Sequence, residues 1–164
     1  MFRPIWLLIA LFAAMSAALS IGLTEWFSLY PCHLCIFQRL LFMVLAVLAL
    51  AGLVFGASLV GGVSGLLVLM VAAVGMGVAG YQSWLERQPP DLGFSCVGPE
   101  MGPIEHLVEW LGQQVPTLFL ATGLCDDMGP QWLGMSFANA ALAGYLLVFV
   151  LGLWALWRIR QSFT

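Results

Sequence analysis

Three long stretches without a charged side chain limit what this chain can fold into. Residues 4–24, 40–85 and 128–157 contain no Asp, Glu, Lys or Arg. A helix that crosses a membrane needs about 20 predominantly apolar residues. The first and last stretches therefore each accommodate one such helix, and the middle stretch, which is too long for one helix, accommodates two.

Composition excludes two broad classes of protein. The chain is 62% hydrophobic and 8% charged, whereas about a quarter of the residues of a typical soluble domain are charged. A water-soluble fold is therefore excluded, and the lipid bilayer is the expected surrounding. The net charge is −3 and the five basic residues are all Arg. We expect no nucleic-acid partner, because phosphate binding needs a basic surface.

We expect one integral membrane domain over residues 1–164, an all-α bundle of four transmembrane helices. The predicted spans cover about residues 5–24, 36–56, 63–82 and 137–157. Clustered glycines at 56–62 mark the break between the second and third spans. The first stretch could be read as a signal peptide that begins with Arg3. Its apolar part is longer than a typical signal core, so we expect a retained span.

The distribution of charge predicts which side of the membrane each loop faces. Arg3, Arg158 and Arg160 lie near the termini, which the positive-inside rule places in the cytoplasm. All eight acidic residues lie in segments that would face the other side. We therefore expect cytoplasmic termini and two loops on the outer, periplasmic side, at about residues 25–35 and 83–136.

The four cysteines, Cys32, Cys35, Cys96 and Cys125, all lie in the predicted periplasmic loops. Paired cysteines in an oxidising compartment are expected to form disulfides. For Cys96 and Cys125, a structural cross-link of the long loop is a sufficient explanation. For Cys32 and Cys35 it is a poor one, because a bond across two residues removes little unfolded-state entropy. That spacing is more typical of redox-active or metal-binding pairs.

A metal site is a second possible explanation of the C-x-x-C pair. Zinc could use it as half a site, with His33 or His106 as a further ligand. The chain has no second close cysteine pair, and the compartment favours oxidation, so we expect no metal. Attachment of haem requires His directly after the second Cys, and that residue is Ile36.

The surroundings of the C-x-x-C pair favour reactivity. Pro31 ends the first loop, and Cys32 and Cys35 open the second helix. A helix N-terminus stabilises a thiolate. Arg39, four residues after Cys35, shares its helix face. An ionisable side chain at the edge of the lipid is a functional candidate, although an arginine there can also extend to the headgroups.

The second loop contains a short amphipathic segment. Ile104, Leu107, Val108 and Leu111 recur at helical spacing, and Pro103 suits the first turn of a helix. The segment is too short to span, so we expect a short interfacial helix on the membrane surface. An ordinary loop helix without a role in the chemistry fits equally well.

PCHLCIFQR at residues 31–39 and VPTLFLATGLC at residues 115–125 resemble two segments of the DsbB family, disulfide bond formation protein B. The family motif P-C-x-x-C-I-x-x-R is matched by PCHLCIFQR at residues 31–39. The family's stretch before its last cysteine is similar to VPTLFLATGLC at residues 115–125, and the hydrophobic-Leu-Gly that follows resembles WLG at residues 132–134. These motifs cover about a fifth of the chain; the rest matches only in hydropathy and cysteine order.

The resemblance implies a protein-dithiol:quinone oxidoreductase in the bacterial inner membrane. A Cys96–Cys125 disulfide would accept electrons from a reduced DsbA-like thioredoxin-fold protein, whose thiolate would attack Cys96. The electrons would pass to a Cys32–Cys35 disulfide and then to a membrane quinone, ubiquinone or menaquinone. Cys35 would face the quinone and form a thiolate–quinone intermediate, and Arg39 would hold the charge near the quinone ring.

Some positions depart from the family pattern. Gln38 stands where many members have Glu before the Arg of the first motif. Arg87 aligns with a His that lies near the quinone in some members. It either supplies a similar positive end at the quinone site or serves as an interfacial anchor. Residues 126–130 and 137–139 replace a Trp-rich, Met-Pro segment that follows the last cysteine in the family, and this difference bears on partner preference.

Two alternatives remain. An enzyme of the vitamin K epoxide reductase type also joins four cysteines to a quinone, but that family places its C-x-x-C after the loop cysteines, and here it comes first. A structural membrane scaffold or transporter subunit with disulfide cross-links would show no redox turnover. It gives no reason for Arg39 one turn after the C-x-x-C pair.

Overall fold

A computed structural model describes residues 3–28, 30–56, 58–87, 102–121 and 136–161. Every structural statement below refers to these residues. The predicted loop cysteines, Cys96 and Cys125, and the WLG motif at 132–134 lie outside them.

The described residues form helices and no strand. The helices are α1 (Arg3–Trp26), α2 (His33–Phe55), α3 (Leu59–Leu85), α4 (Pro103–Gln114), α5 (Pro116–Phe119) and α6 (Phe137–Gln161). α1, α2, α3 and α6 are 24, 23, 27 and 25 residues long and apolar enough to cross a membrane. With a rise of about 1.5 Å per residue, each can cross a hydrocarbon core of about 30 Å. The predicted all-α fold with four membrane helices is confirmed.

The four long helices pack as a closed bundle. α2 lies between α1 and α3, α3 packs along α6, and α1 also contacts α6. Trp6, Ile9, Leu45, Val68 and Val148 are fully buried in its interior. Many large apolar side chains on the opposite faces of the same helices are exposed. An apolar exterior around a packed interior is the arrangement that a lipid surrounding requires, because lipid solvates apolar side chains.

The turn between α2 and α3 is shorter than the glycine cluster predicted. α2 ends at Phe55, and Gly56 has φ 57° and donates its N–H to the Gly52 carbonyl at 3.0 Å. Ser58 then caps α3, its hydroxyl accepting from the Gly61 N–H at 3.3 Å. Gly61 and Gly62 lie inside α3. The positive φ explains the glycine at position 56, and the Ser58 cap sets where α3 begins.

α4 contains the amphipathic segment predicted in the second loop. Pro103 occupies its first turn. Val108 is fully buried and packs with Ile36 of α2 and Phe119 of α5, whereas Trp110 on the same helix is 57% exposed. α4 therefore rests on the start of α2. Its place at the membrane surface stays a prediction.

Tyr145 links α6 to α2 in the middle of the bundle. Its ring stacks on Phe42, with centroids 4.3 Å apart and planes 11° apart. Its hydroxyl donates to the Gln38 carbonyl at 2.8 Å. Gly75 of α3 provides the space for this ring, because a Cβ at that position would overlap it. The ring is held on two sides and cannot move aside.

Changing Gly75 to Ala should therefore destabilise the bundle by about 1–3 kcal/mol, the usual cost of overpacking a filled interior. Thermal unfolding of the purified protein in detergent measures the effect. Gly77→Ala is the matched control, because a Cβ there meets no atom of the described structure within 4 Å. Equal melting temperatures for the two variants would contradict the packing argument.

Candidate redox site at the start of the second helix

Cys32 and Cys35 are brought together by the first turn of α2. Cys32 is the N-cap, with an extended backbone (φ −79°, ψ 167°), and its sulfur accepts from the Cys35 N–H at 3.4 Å. The Cys32 carbonyl accepts from the Ile36 N–H at 3.1 Å, so the helix begins here. The two sulfurs are 3.0 Å apart, and both residues are free cysteines. The local fold thus holds the two sulfurs in contact.

The two cysteines have different surroundings. Cys32 is 3% exposed and packs with Leu34 and Leu85, with Val78 and Ile104 at the edge of the cluster. Cys35 is only partly buried. A small reagent therefore has better access to Cys35 than to Cys32.

Hydrogen bonds also separate the protonation states of the pair. The Cys32 thiol donates to the Cys35 sulfur, and this hydrogen bond, together with burial, raises the pKa of Cys32 above its ordinary value. The Cys35 sulfur accepts from Cys32 and from Gln82 Nε2 at 3.2 Å. Donors aimed at a sulfur favour its negatively charged form. The arrangement therefore supports a Cys35 thiolate next to a protonated Cys32.

Gln82 and Gln38 are site residues that the sequence did not single out in this role. They are 4% and 6% exposed, and Gln38 Nε2 donates to Gln82 Oε1 at 2.9 Å. In the sequence, Gln38 stands out only as a departure from the family motif. Gln82 could have been suspected because it is an amide at the end of an apolar span, where polar side chains usually have a specific partner.

Arg39 is buried beside the pair but is directed at α1 and α5. The side chain is 4% exposed. Nε donates to Ser20 Oγ at 3.3 Å, and the two terminal nitrogens donate to the Leu118 carbonyl at 2.8 Å, the Ser20 carbonyl at 3.3 Å and Thr24 Oγ1 at 2.8 Å. All these acceptors are uncharged. Because Arg39 is buried, its side chain does not simply extend to the lipid headgroups. The predicted contact between Arg39 and a quinone stays a prediction.

The remaining predicted site residues are Arg87, Cys96 and Cys125. Arg87 follows α3 with an exposed side chain, and its backbone N–H bonds to the Trp84 carbonyl at 3.2 Å. Both interpretations of Arg87, quinone contact and interfacial anchor, stay open. Cys96 and Cys125 lie outside the described residues. In the part of the chain that is described, no group of three potential metal ligands occurs.

Comparison with known proteins identifies the family. The family model for DsbB, described as disulfide bond formation protein DsbB, matches residues 2–155. This chain belongs to the DsbB family. The resemblance inferred from the two cysteine motifs is confirmed, and the C-x-x-C pair described above lies within the matched region.

Curated relatives in the DsbB family match over most of their length. Disulfide bond formation protein B of Dechloromonas aromatica (strain RCB) is 39% identical over 122 residues, which cover 74% of this chain and 72% of the relative. The protein of the same name from Azoarcus sp. (strain BH72) is 32% identical over 96% of this chain and 94% of the relative. That from Xanthomonas campestris pv. campestris (strain 8004) is 36% identical over 99% and 91%.

The asymmetry of the pair predicts unequal reactivity. In the reduced, folded protein, iodoacetamide should alkylate Cys35 at least about tenfold faster than Cys32, because Cys35 is more exposed and its thiolate is stabilised. Mass spectrometry of the two modified sulfurs measures the ratio. The same protein unfolded in denaturant is the control and should show similar rates. Similar alkylation rates of the two cysteines in the folded protein would contradict the assignment of Cys35 as the more reactive one.

Proposed function

We propose that this protein oxidises a DsbA-like periplasmic dithiol protein and passes the electrons to a membrane quinone. Membership of the DsbB family supports a role in disulfide bond formation in a bacterial inner membrane. The observation that carries the proposal is the Cys32–Cys35 pair. Its sulfurs touch at the start of a membrane helix, and one of them is partly exposed and held by two hydrogen-bond donors.

The reaction runs through two disulfides. A thiolate of the dithiol protein attacks Cys96 and breaks the Cys96–Cys125 bond. The partner's second thiol then releases Cys96, so that the partner leaves with a disulfide and the loop pair is reduced. A loop thiolate next attacks Cys32, and Cys35, whose thiolate is the better stabilised of the two, leaves with the electron pair of the broken bond. The second loop thiolate then attacks the loop sulfur of this mixed disulfide, which forms the Cys96–Cys125 bond again and releases Cys32 in its reduced state. Each exchange depends on thiolate availability and access.

Reduction of the quinone closes the cycle. Two electrons and two protons leave the reduced Cys32–Cys35 pair, the disulfide forms again and the quinone becomes a quinol. Cys35 is the sulfur suited to this contact, because it is the more accessible of the two and carries the stabilised charge. The quinone, ubiquinone or menaquinone, is a substrate that leaves after each turnover.

The surroundings of Arg39 fit a neutral carbonyl acceptor such as that of a quinone. A guanidinium has five N–H groups. Four hydrogen bonds go to described residues, and three of them come from Nε and the nitrogen bound to Thr24. The nitrogen bound to the Leu118 carbonyl makes one such bond. It therefore has one N–H without a partner among the described residues, and we propose that a quinone oxygen accepts from it.

The proposal predicts turnover that depends on Cys35. Purified protein in detergent, mixed with ubiquinone and a reduced periplasmic thioredoxin-fold protein, should consume oxidised quinone, which is followed by its absorbance. Cys35→Ala should abolish the reaction, because the disulfide can no longer form. No turnover by the parent with several dithiol proteins and both quinone classes would overturn the proposal and favour a disulfide-linked scaffold.

A conservative change of Arg39 tests its contact with the quinone. Arg39→Lys keeps the charge but loses the planar donor fork. Loss of one charged hydrogen bond should raise the KM for quinone roughly tenfold. Arg158→Lys is the matched control, because Arg158 lies over the ring of Trp154 near the C-terminal end of α6, 5.6 Å from its centroid. An unchanged KM for quinone in Arg39→Lys would contradict the contact with the quinone and leave Arg39 only a structural role between helices.

A further inference from the structure

Gln82 is a buried amide of α3 that meets the reacting sulfur of α2. Its Nε2 lies 3.2 Å from Cys35 Sγ, and the side chain is 4% exposed. A buried amide cannot exchange its partners for water, and leaving it unpaired is costly. The hydrogen bond from Nε2 to the Cys35 sulfur therefore supplies one of the partners that the buried Gln82 amide needs.

The direction of the Gln82 amide is set by Gln38. Gln38 Nε2 donates to Gln82 Oε1 at 2.9 Å. Because an amide group has one oxygen and one NH2, a donor on the oxygen side turns the NH2 toward Cys35. The main-chain carbonyl of Gln38 accepts from the Tyr145 hydroxyl at 2.8 Å, which joins α6 to the same turn of α2. The Gln38 side chain thus fixes which end of Gln82 faces the sulfur.

A negative charge on the Cys35 sulfur depends on nearby hydrogen-bond donors for its stabilisation. Glu86, just after α3, is close enough to oppose a negative charge on this sulfur. Arg39 on α2 interacts favourably with that charge, but its described hydrogen bonds go to α1 and α5. The side-chain donors to the sulfur among the described residues are the Cys32 thiol and the Gln82 amide. The Cys32 thiol is lost as a donor whenever Cys32 is bonded to another sulfur.

We propose that Gln82 is a catalytic residue that stabilises the Cys35 thiolate when it leaves, and that Gln38 is the positioning residue that orients it. This inference rests on the proposed function. An incoming thiolate forms a bond to the Cys32 sulfur, the Cys32–Cys35 bond breaks, and Cys35 takes the electron pair. At that moment Cys32 carries no proton, so Gln82 is the remaining side-chain donor to the charged sulfur among the described residues.

The test measures the thiolate of Cys35 directly. The reduced full-length protein in detergent is alkylated with iodoacetamide across a pH series, and modification of Cys35 is followed by mass spectrometry. Gln82→Met keeps the length of the side chain and removes the donor. It should move the alkylation midpoint upward by about one pH unit, about tenfold less thiolate at a given lower pH. Gln38→Met should give a smaller upward shift, because the Gln82 amide is then free to turn.

Ser83→Ala is the matched control on the same helix. Ser83 is equally buried, but its hydroxyl donates to Asn139 Oδ1 at 2.8 Å and not to a cysteine. Its midpoint should equal that of the parent, although a contact between α3 and α6 is lost. A loss of packing alone would therefore not reproduce the shift expected of the two glutamine variants.

The outcomes separate this inference from the proposed function. Midpoints in Gln82→Met and Gln38→Met equal to that of Ser83→Ala would overturn the inference, even if the parent reduces quinone. A shift in the glutamine variants with no quinone turnover by the parent would support the role of Gln82 at the thiolate and sink the proposed reaction. If Gln82→Met does not fold, the midpoint of Gln38→Met decides alone.

Discussion

The guanidinium of Arg39 is a positive charge enclosed by an apolar bundle, and the arrangement of the helices follows from satisfying it. A buried charge without hydrogen-bond partners is very costly. Here Ser20 and Thr24 of α1 and the Leu118 carbonyl of α5 supply the oxygens. These contacts fix the depth at which α1 lies against α2. They also hold the segment before residue 122 next to the start of α2.

The same requirement explains the polar contacts on the other side of α2. Gln38, Gln82 and Ser83 are all buried within the described bundle, and each has a partner on a neighbouring helix. In an apolar surrounding such contacts specify which helices meet and in which register. The sulfur of Cys35 lies at the end of this group of contacts. The position of the Cys35 sulfur is thus set by the same polar contacts that fix how the helices pack.

Much of the fold could be predicted from the sequence because a membrane permits few structures. Uncharged stretches long enough to span must form helices, since no water is present to satisfy the backbone. The C-x-x-C pair could be placed at a helix start because Pro31 precedes it. The spacing put Arg39 on the face of Cys35, but the direction of its guanidinium depends on oxygens of α1 and α5. Gln82 could not be paired with Cys35 without knowing how α3 packs on α2.

The hydrogen bond from Gln82 to Cys35 has a thermodynamic consequence for the oxidised protein. A thiolate is a strong acceptor, whereas a sulfur within a disulfide is a weak one. When Cys32 and Cys35 form a disulfide, the hydrogen bond from the buried Gln82 N–H to the Cys35 sulfur therefore becomes weaker. This loss raises the free energy of the oxidised protein relative to the reduced protein. Interactions that favour the reduced form raise the reduction potential of a disulfide. The amide on α3 would thus raise the reduction potential of a disulfide formed between Cys32 and Cys35.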